Sequence, residues 1–193
     1  MLLDPLGVTF GLHPSLIIPI GAKSTSSIEK YVGAIEESYD RDKILVVAFD
    51  PLCAANSLPV WQHDRSPLLA HQRQVWVEVD LKNYRKAYLK AFENSHTDKT
   101  YVIDHIMNRK LARALGYRYV RLLHVERNVN SSSGRGGETF AMENLELGLQ
   151  INPEINAGEI VYADPMDLLK MLNVKVGGFG LDAVRDNHHL FYG

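Results

Sequence analysis

The stretch Thr100-Tyr-Val-Ile-Asp-His-Ile-Met-Asn-Arg-Lys-Leu-Ala-Arg-Ala-Leu-Gly116, continued by Tyr117-Arg-Tyr-Val-Arg-Leu-Leu-His-Val125, sets a strand, a helix and a strand side by side. Thr100-Tyr-Val-Ile103 is short, aromatic and β-branched, which predicts a strand. Asp104 is a good N-cap for a helix running through Leu115, and Gly116 supplies the residue type that ends helices in the left-handed conformation. Tyr117 to Val125 predicts the second strand.

Working outward, Lys43-Ile-Leu-Val-Val-Ala-Phe49 is a continuous apolar run, as expected of a central strand buried on both faces. Gln74-Val-Trp-Val-Glu-Val-Asp80 alternates with period two, and Asp80 is placed to cap a helix. That helix would bury Leu81, Tyr84, Tyr88 and Phe92 and leave Lys82, Arg85, Lys86 and Lys90 outside. Upstream, Ser26-x-x-Glu29 is a capping box, and Ile28, Tyr31, Val32 and Ile35 follow at helical spacing, predicting a helix from about Ser27 to Tyr39. Ser15 to Gly21 reads as an edge strand, because Pro19 cannot donate to a ladder. Downstream come a polar loop from Arg127 to Gly137, a helix from Glu138 to Leu149 and a last strand from Glu159 to Tyr162. Asp164-Pro-Met-Asp167 then starts a helix through Leu172. The expected fold is α/β (or α+β), a mixed β-sheet of about five strands with about five flanking helices. Residues 1–23 are expected as an extended lead-in and 24–193 as a single domain with an acidic carboxy-terminal third.

The 193 residues are 46% hydrophobic and 23% charged, enough apolar surface to offset the entropy of ordering a chain. No run of 18 apolar residues occurs, so no membrane span is expected. Cys53 is the single cysteine, which excludes an internal disulfide and every Cys-x-x-Cys zinc site. Met1 to Gly7 lacks the basic start and small-residue cleavage site of a secretory signal, so the expected location is the cytoplasm.

The formal net charge of −2 conceals a polar distribution. Lys82 to Arg135 carries 12 Lys and Arg against 4 acids, while Glu138 to Gly193 carries 9 acids against Lys170, Lys175 and Arg185. A basic middle is the footprint of phosphate or nucleic acid contact, and nucleic acid is the expected partner. The competing reading is a set of solvated helix faces paired with the acidic tail.

The densest chemistry lies in the opening stretch. A carboxylate beside an imidazole suits metal-assisted phosphodiester hydrolysis, with Asp104 on the ion and His105 taking a proton from the attacking water. Arg109, one helical turn on, would neutralise a phosphate oxygen. In Asn128 to Gly137, serines and glycines ahead of a helix present donors to an anion. Arg113, Arg127, Ser131, Ser132, Ser133 and Arg135 therefore complete an expected phosphate-binding set.

Asp104-His105 at a strand end, with a later Asn before a helix, resembles the start of the HNH (ββα-metal) nucleases over roughly 40 residues. That resemblance implies a divalent cofactor (Mg²⁺ or Mn²⁺, alternatively Zn²⁺), with Asp104 as metal ligand and His105 as general base. Asn130 (or Asn128) would orient the base, and the distal ligand would come from Glu138, Glu143 or Asn144, Glu138 being taken first. The family's Gly-rich spacer is absent, and a helix intervenes where the family has a loop. Leu3-Asp-Pro-Leu-Gly-Val8 resembles the junction at which Rhs/YD-repeat proteins pass into a variable carboxy-terminal toxin, which would imply delivery into a target cell and an immunity partner. Two other functions compete. One is a non-enzymatic interaction or assembly protein, phage- or defence-associated. The other is an NAD-dependent ADP-ribosyltransferase toxin, since Ser24-Thr-Ser26 resembles that family's serine-threonine-serine element, although helix capping explains it better. His188-His189, His63, His71 and Cys53 lack the spacing or partners of a site.

Overall fold

The computed structural model describes residues 19–49, 73–92, 100–131 and 158–163, together with Asp167, Lys170 and Met171. Along the chain come β1 (Pro19–Ala22), α1 (Thr25–Tyr31), β2 (Gly33–Tyr39), β3 (Ile44–Phe49), β4 (Arg73–Glu78), α2 (Tyr84–Ala91), β5 (Tyr101–His105), α3 (Arg109–Ala114), β6 (Tyr119–Glu126) and β7 (Ile160–Tyr162). Residues 127–131 add a short helical turn. The sheet runs β2-β3-β4-β6-β1-β7, with β5 attached to β6 off that path. Sheet and flanking helices therefore coexist in one domain, as expected. Among the described residues the sheet has seven strands rather than about five, and every pairing between them is antiparallel, the α+β form of the expectation.

β6 organises the sheet because its eight residues serve two sets of neighbours. Tyr119 to Arg121 lie between β4 and β1, with Arg121 opposite Trp76 and Val120 opposite both Val77 and Gly21. Leu122 to Glu126 then pair with β5, from His105↔Leu122 to Tyr101↔Glu126. The sheet thus forks at Arg121, where the Ile106 N–H donates to the Arg121 carbonyl at 3.0 Å.

Alternation along β3 and β4 divides the core between the two faces. Leu45, Val47, Trp76 and Tyr119 pack with Ile28 and Val32 around α1. Val46, Val75, Val77, Val120 and Leu122 pack with Ala87, Tyr88, Ala91 and Ala112 of α2 and α3. β3 is buried on both sides, as its apolar run predicts; β4, read from a period-two alternation, is buried on both sides as well, because Trp76 packs into the cluster around α1.

Several local expectations are corrected. The helix expected over Ser27–Tyr39 stops at Tyr31, and Gly33 to Tyr39 form β2. Gly33 takes φ 155°, and after it exposed Ala34, Glu36 and Ser38 alternate with half-buried Ile35, Glu37 and Tyr39. That is the period of a strand, and it overrides the helical spacing of Ile28 to Ile35. The N-cap of α1 is Ser24, which accepts from the Ser27 N–H at 3.1 Å, so Ser26 is not the cap. β1 was expected at an edge but lies between β6 and β7; Pro19 occupies its first position, where a missing donor costs least. Asp80 does not cap α2, since it accepts from Arg113 at 2.7 Å, and Asn83 is the N-cap. Asp104 is not an N-cap either. The ladder to β6 continues through Asp104 and His105, and Asn108 caps α3 by accepting from the Lys110 N–H at 2.8 Å. The loop expected from Arg127 begins helically, Ser131 Oγ donating to the Arg127 carbonyl at 2.8 Å. The helix expected over Glu138–Leu149 lies outside the described residues. In the Asp164–Leu172 segment, Asp167, Lys170 and Met171 are helical. Among the described residues no helix is long and apolar enough to cross a membrane.

The β2–β3 turn is held in a costly shape. Asp40, Arg41 and Asp42 take φ of 51°, 55° and 65°, a conformation that costs a non-glycine residue about 1–2 kcal/mol. The hydroxyl of buried Tyr119 donates to the Asp42 carbonyl at 2.8 Å and ties the turn to β6.

Candidate functional site

His105 ends β5 and lies under the Tyr84 ring of α2, with centroids 4.2 Å apart and 5% of the residue exposed. Its Nδ1 stands 3.9 Å from Asp104 Oδ1, an electrostatic contact longer than a hydrogen bond. Its buried Nε2 has no hydrogen-bond partner among the described residues. Lys170 closes the group from the far end of the chain. It is 2% exposed, and its Nζ donates to Asp104 Oδ2 at 3.2 Å and to the His105 carbonyl at 2.9 Å.

Burial pushes the Asp104 carboxyl up, but the adjacent imidazole and the Lys170 ammonium outweigh it and hold the carboxyl well below the usual range. Burial dominates for His105 and lowers its pKa, with Asp104 opposing and the Arg109 and Lys170 charges assisting. The imidazole is therefore neutral near pH 7, with a carboxylate near one nitrogen and the other nitrogen unpartnered. That is the electrostatic state of a general base. Further along the same hairpin, His124 stacks on Tyr101 with centroids 4.6 Å apart, and burial lowers its pKa too.

Two guanidiniums frame Tyr84. Arg85 Cζ lies 5.4 Å and Arg109 Cζ 5.8 Å from its ring centroid, and neither arginine has a carboxylate partner among the described residues. Exposed Lys82, Lys86 and Lys110 extend the positive charge on α2 and α3. Arg113 and Arg118 do not share in this, because they pair with Asp80 at 2.6 Å and Glu78 at 2.9 Å.

The structure thus brings together Asp104, His105 and Arg109 from the expected set and adds Lys170, Tyr84 and Arg85. It does not bring Asn130 or Asn128 to His105. Both follow β6 at the Tyr101 end of the hairpin, where the Arg127 N–H donates to the Thr100 carbonyl at 2.8 Å. Four strand steps, about 13 Å, separate that end from His105, so neither Asn orients the imidazole there. Arg127 and Ser131 lie at that same far end, and Arg113 is neutralised by Asp80. Ser132, Ser133, Arg135, Glu138, Glu143 and Asn144 lie outside the described residues.

No known protein family, no curated protein and no solved structure matches the chain.

A divalent ion does not fit the described residues by themselves. The carboxylate at the site, Asp104, has the Lys170 ammonium where a cation would approach Oδ2. Among the described residues no three His, Cys, Asp or Glu side chains group to hold a metal. Sequence gave no sign of Lys170, whose pairing with Asp104 spans 66 residues. Tyr84 and Arg85 were legible as an apolar stripe and an outer face, but not as partners of His105.

The lowered imidazoles have a thermodynamic consequence. The unfolded chain takes up protons first as pH falls below about 6.5, so stability is full above that value and declines toward the lower native pKa values. Urea unfolding at pH 7.5 and pH 5.5 is expected to show a lower midpoint at pH 5.5. The loss should be smaller in His105→Gln, which cannot titrate. An unchanged midpoint would remove the case for neutral buried imidazoles.

Proposed function

We propose that the chain is a phosphodiesterase acting on nucleic acid, with His105 as general base and Arg85 and Arg109 as the phosphate clamp. The observation that carries this is the placing of Arg85 and Arg109, neither with a carboxylate partner among the described residues, around Tyr84, whose ring packs on an imidazole whose Nε2 has no hydrogen-bond partner among the described residues. A phosphodiester between the two arginines would have its charge offset on two sides, and charge-assisted bonds there strengthen as the transition state gathers charge on oxygen. Rotation of Tyr84 off His105 would admit the reacting water. His105 Nε2 takes that water's proton as its oxygen bonds to phosphorus, the bond from phosphorus to the leaving sugar oxygen breaks, and the imidazolium, stabilised by Asp104 that Lys170 holds, returns the proton to that oxygen. No step is routed through a metal.

The test is cleavage of plasmid DNA and total RNA by the purified chain, with Mg²⁺, with Mn²⁺ or with EDTA. His105→Ala is expected to lose about 10²–10⁴ in rate, and Arg85→Ala/Arg109→Ala to weaken substrate binding with a reduced dependence on salt. Cutting that survives EDTA assigns the chemistry to these side chains alone. Cutting that EDTA abolishes adds an ion held in part by residues outside the described set. Cutting unchanged in His105→Ala removes the residue assignment. No cutting in any condition replaces the proposal with the interaction-protein reading, for which the covering of His105 by Tyr84 is simple core packing.

A further inference from the structure

Arg121 stands at the fork of β6, opposite Trp76 of β4. It is 2% exposed, and its Nε and Nη1 have no hydrogen-bond partner among the described residues. The contrast with its neighbours is sharp: Arg73, Arg113 and Arg118 each meet a carboxylate. Burial draws the Arg121 pKa down to about 10, with Tyr88 opposing, so the group is still a cation at neutral pH. A buried, charged guanidinium with two of its three nitrogens unpartnered is strongly disfavoured, and such groups persist where a counter-charge joins them.

We propose that Arg121 anchors a buried anion site at the fork of the sheet, one that takes a compact oxyanion, either a carboxylate or a phosphate. A guanidinium offers several N–H donors in one plane, a match for the oxygens of such a group. An uncharged ligand would leave the cation unmatched. The site rests on a different guanidinium from the Arg85–Arg109 pair: Arg121 is buried in β6 and interacts with Tyr88 of α2, whereas Arg85 and Arg109 belong to α2 and α3 and flank Tyr84. The inference therefore does not depend on the phosphodiesterase reading.

Nitrogen-15 NMR of the arginine Nε–H groups tests it. The full chain in Tris chloride is titrated with sodium phosphate, with sodium acetate, and with sodium chloride at matched ionic strength. Loss of one cross-peak in Arg121→Leu assigns the Arg121 signal, and Arg121→Lys serves the same purpose if the leucine variant does not fold. The expected result is a saturable shift of the Arg121 signal with an oxyanion but not with chloride. It should persist in Arg85→Ala/Arg109→Ala. At a hundredfold excess over Kd, Tm should rise by roughly 5–10 °C. A response to acetate identifies a carboxylate site, and a response to phosphate a phosphate site. An Arg121 signal that neither oxyanion moves overturns the inference. So does a phosphate response lost in Arg85→Ala/Arg109→Ala but kept without Arg121, and that second result would leave the surface clamp standing.

Discussion

Lys170→Met is expected to lower the unfolding free energy at pH 7 by about 3 kcal/mol, because it strands a largely buried carboxylate without its cation. The Asp104 side chain is 28% exposed, so water recovers only part of the lost interaction. The His105 carbonyl also loses the donor it has at 2.9 Å. The pH dependence gives the sign. In the parent chain the Asp104 pKa is depressed, so the pair's contribution is present above the ordinary carboxylate pKa of about 3.9 and is lost as pH falls through the lower native value. In the variant only the His105 contacts still oppose burial, so the Asp104 pKa rises from its native value, protonation relieves the stranded charge and the deficit narrows toward pH 4. Asp104→Asn in the Lys170→Met background removes the charge and should recover part of the loss. Urea titrations of the parent and the two variants at pH 7 and pH 4 check this; a deficit below about 0.5 kcal/mol at pH 7 would show the ion pair to be incidental.

Trp76→Ala is expected to cost about 4 kcal/mol, a large share of the roughly 5–15 kcal/mol that holds an ordinary domain together. Trp76 is 0% exposed, lies on β4 between Leu45 and Arg121, and contributes one of the largest buried side chains. Its truncation opens a cavity where β3, β4 and β6 meet. It also removes the indole N–H that donates to Gln74 Oε1 at 3.0 Å, leaving a buried acceptor unmatched. Trp76→Phe keeps most of the volume but not the donor, and should cost about 1–2 kcal/mol. Denaturation followed by circular dichroism separates the two. An alanine variant within about 1 kcal/mol of the parent would mean that the core does not turn on this side chain.

Much of the sheet was legible in the sequence because a strand carries its pattern within a few residues: the apolar run from Lys43 to Phe49 and the alternation from Gln74 to Asp80 both mark strands, although the alternation did not show that Trp76 is buried as deeply as Val75 and Val77. The close of α3 was legible for a similar reason: Gly116, at φ 78°, adopts a shape that glycine accepts readily. Ser27 to Tyr39 misled because Ile28, Tyr31, Val32 and Ile35 satisfy helical spacing, while the alternation after Gly33 is only half-buried and so weakly marked. Asp104 and His105 drew notice as neighbours at a strand end. Their partners did not, since Lys170, Tyr84 and Arg85 meet them only through tertiary packing. Arg121 was hidden for another reason: flanked by Val120 and Leu122, it reads as an outward-facing residue of a half-buried strand, and only a sheet covered on both faces buries it.

The fork in β6 also sets the order in which the sheet can be completed. β1 finds its partners about a hundred residues later in β6 and later still in β7. During synthesis at about 5–20 residues per second, Pro19 to Ala22 therefore wait several seconds or more for a neighbour. β2 and β3, joined by a short turn, can pair almost at once. The first of the described strands is thereby among the last of them to be secured. Until then its unmatched backbone is open to capture by other chains, so the hazard of misassembly falls early in the life of the nascent protein.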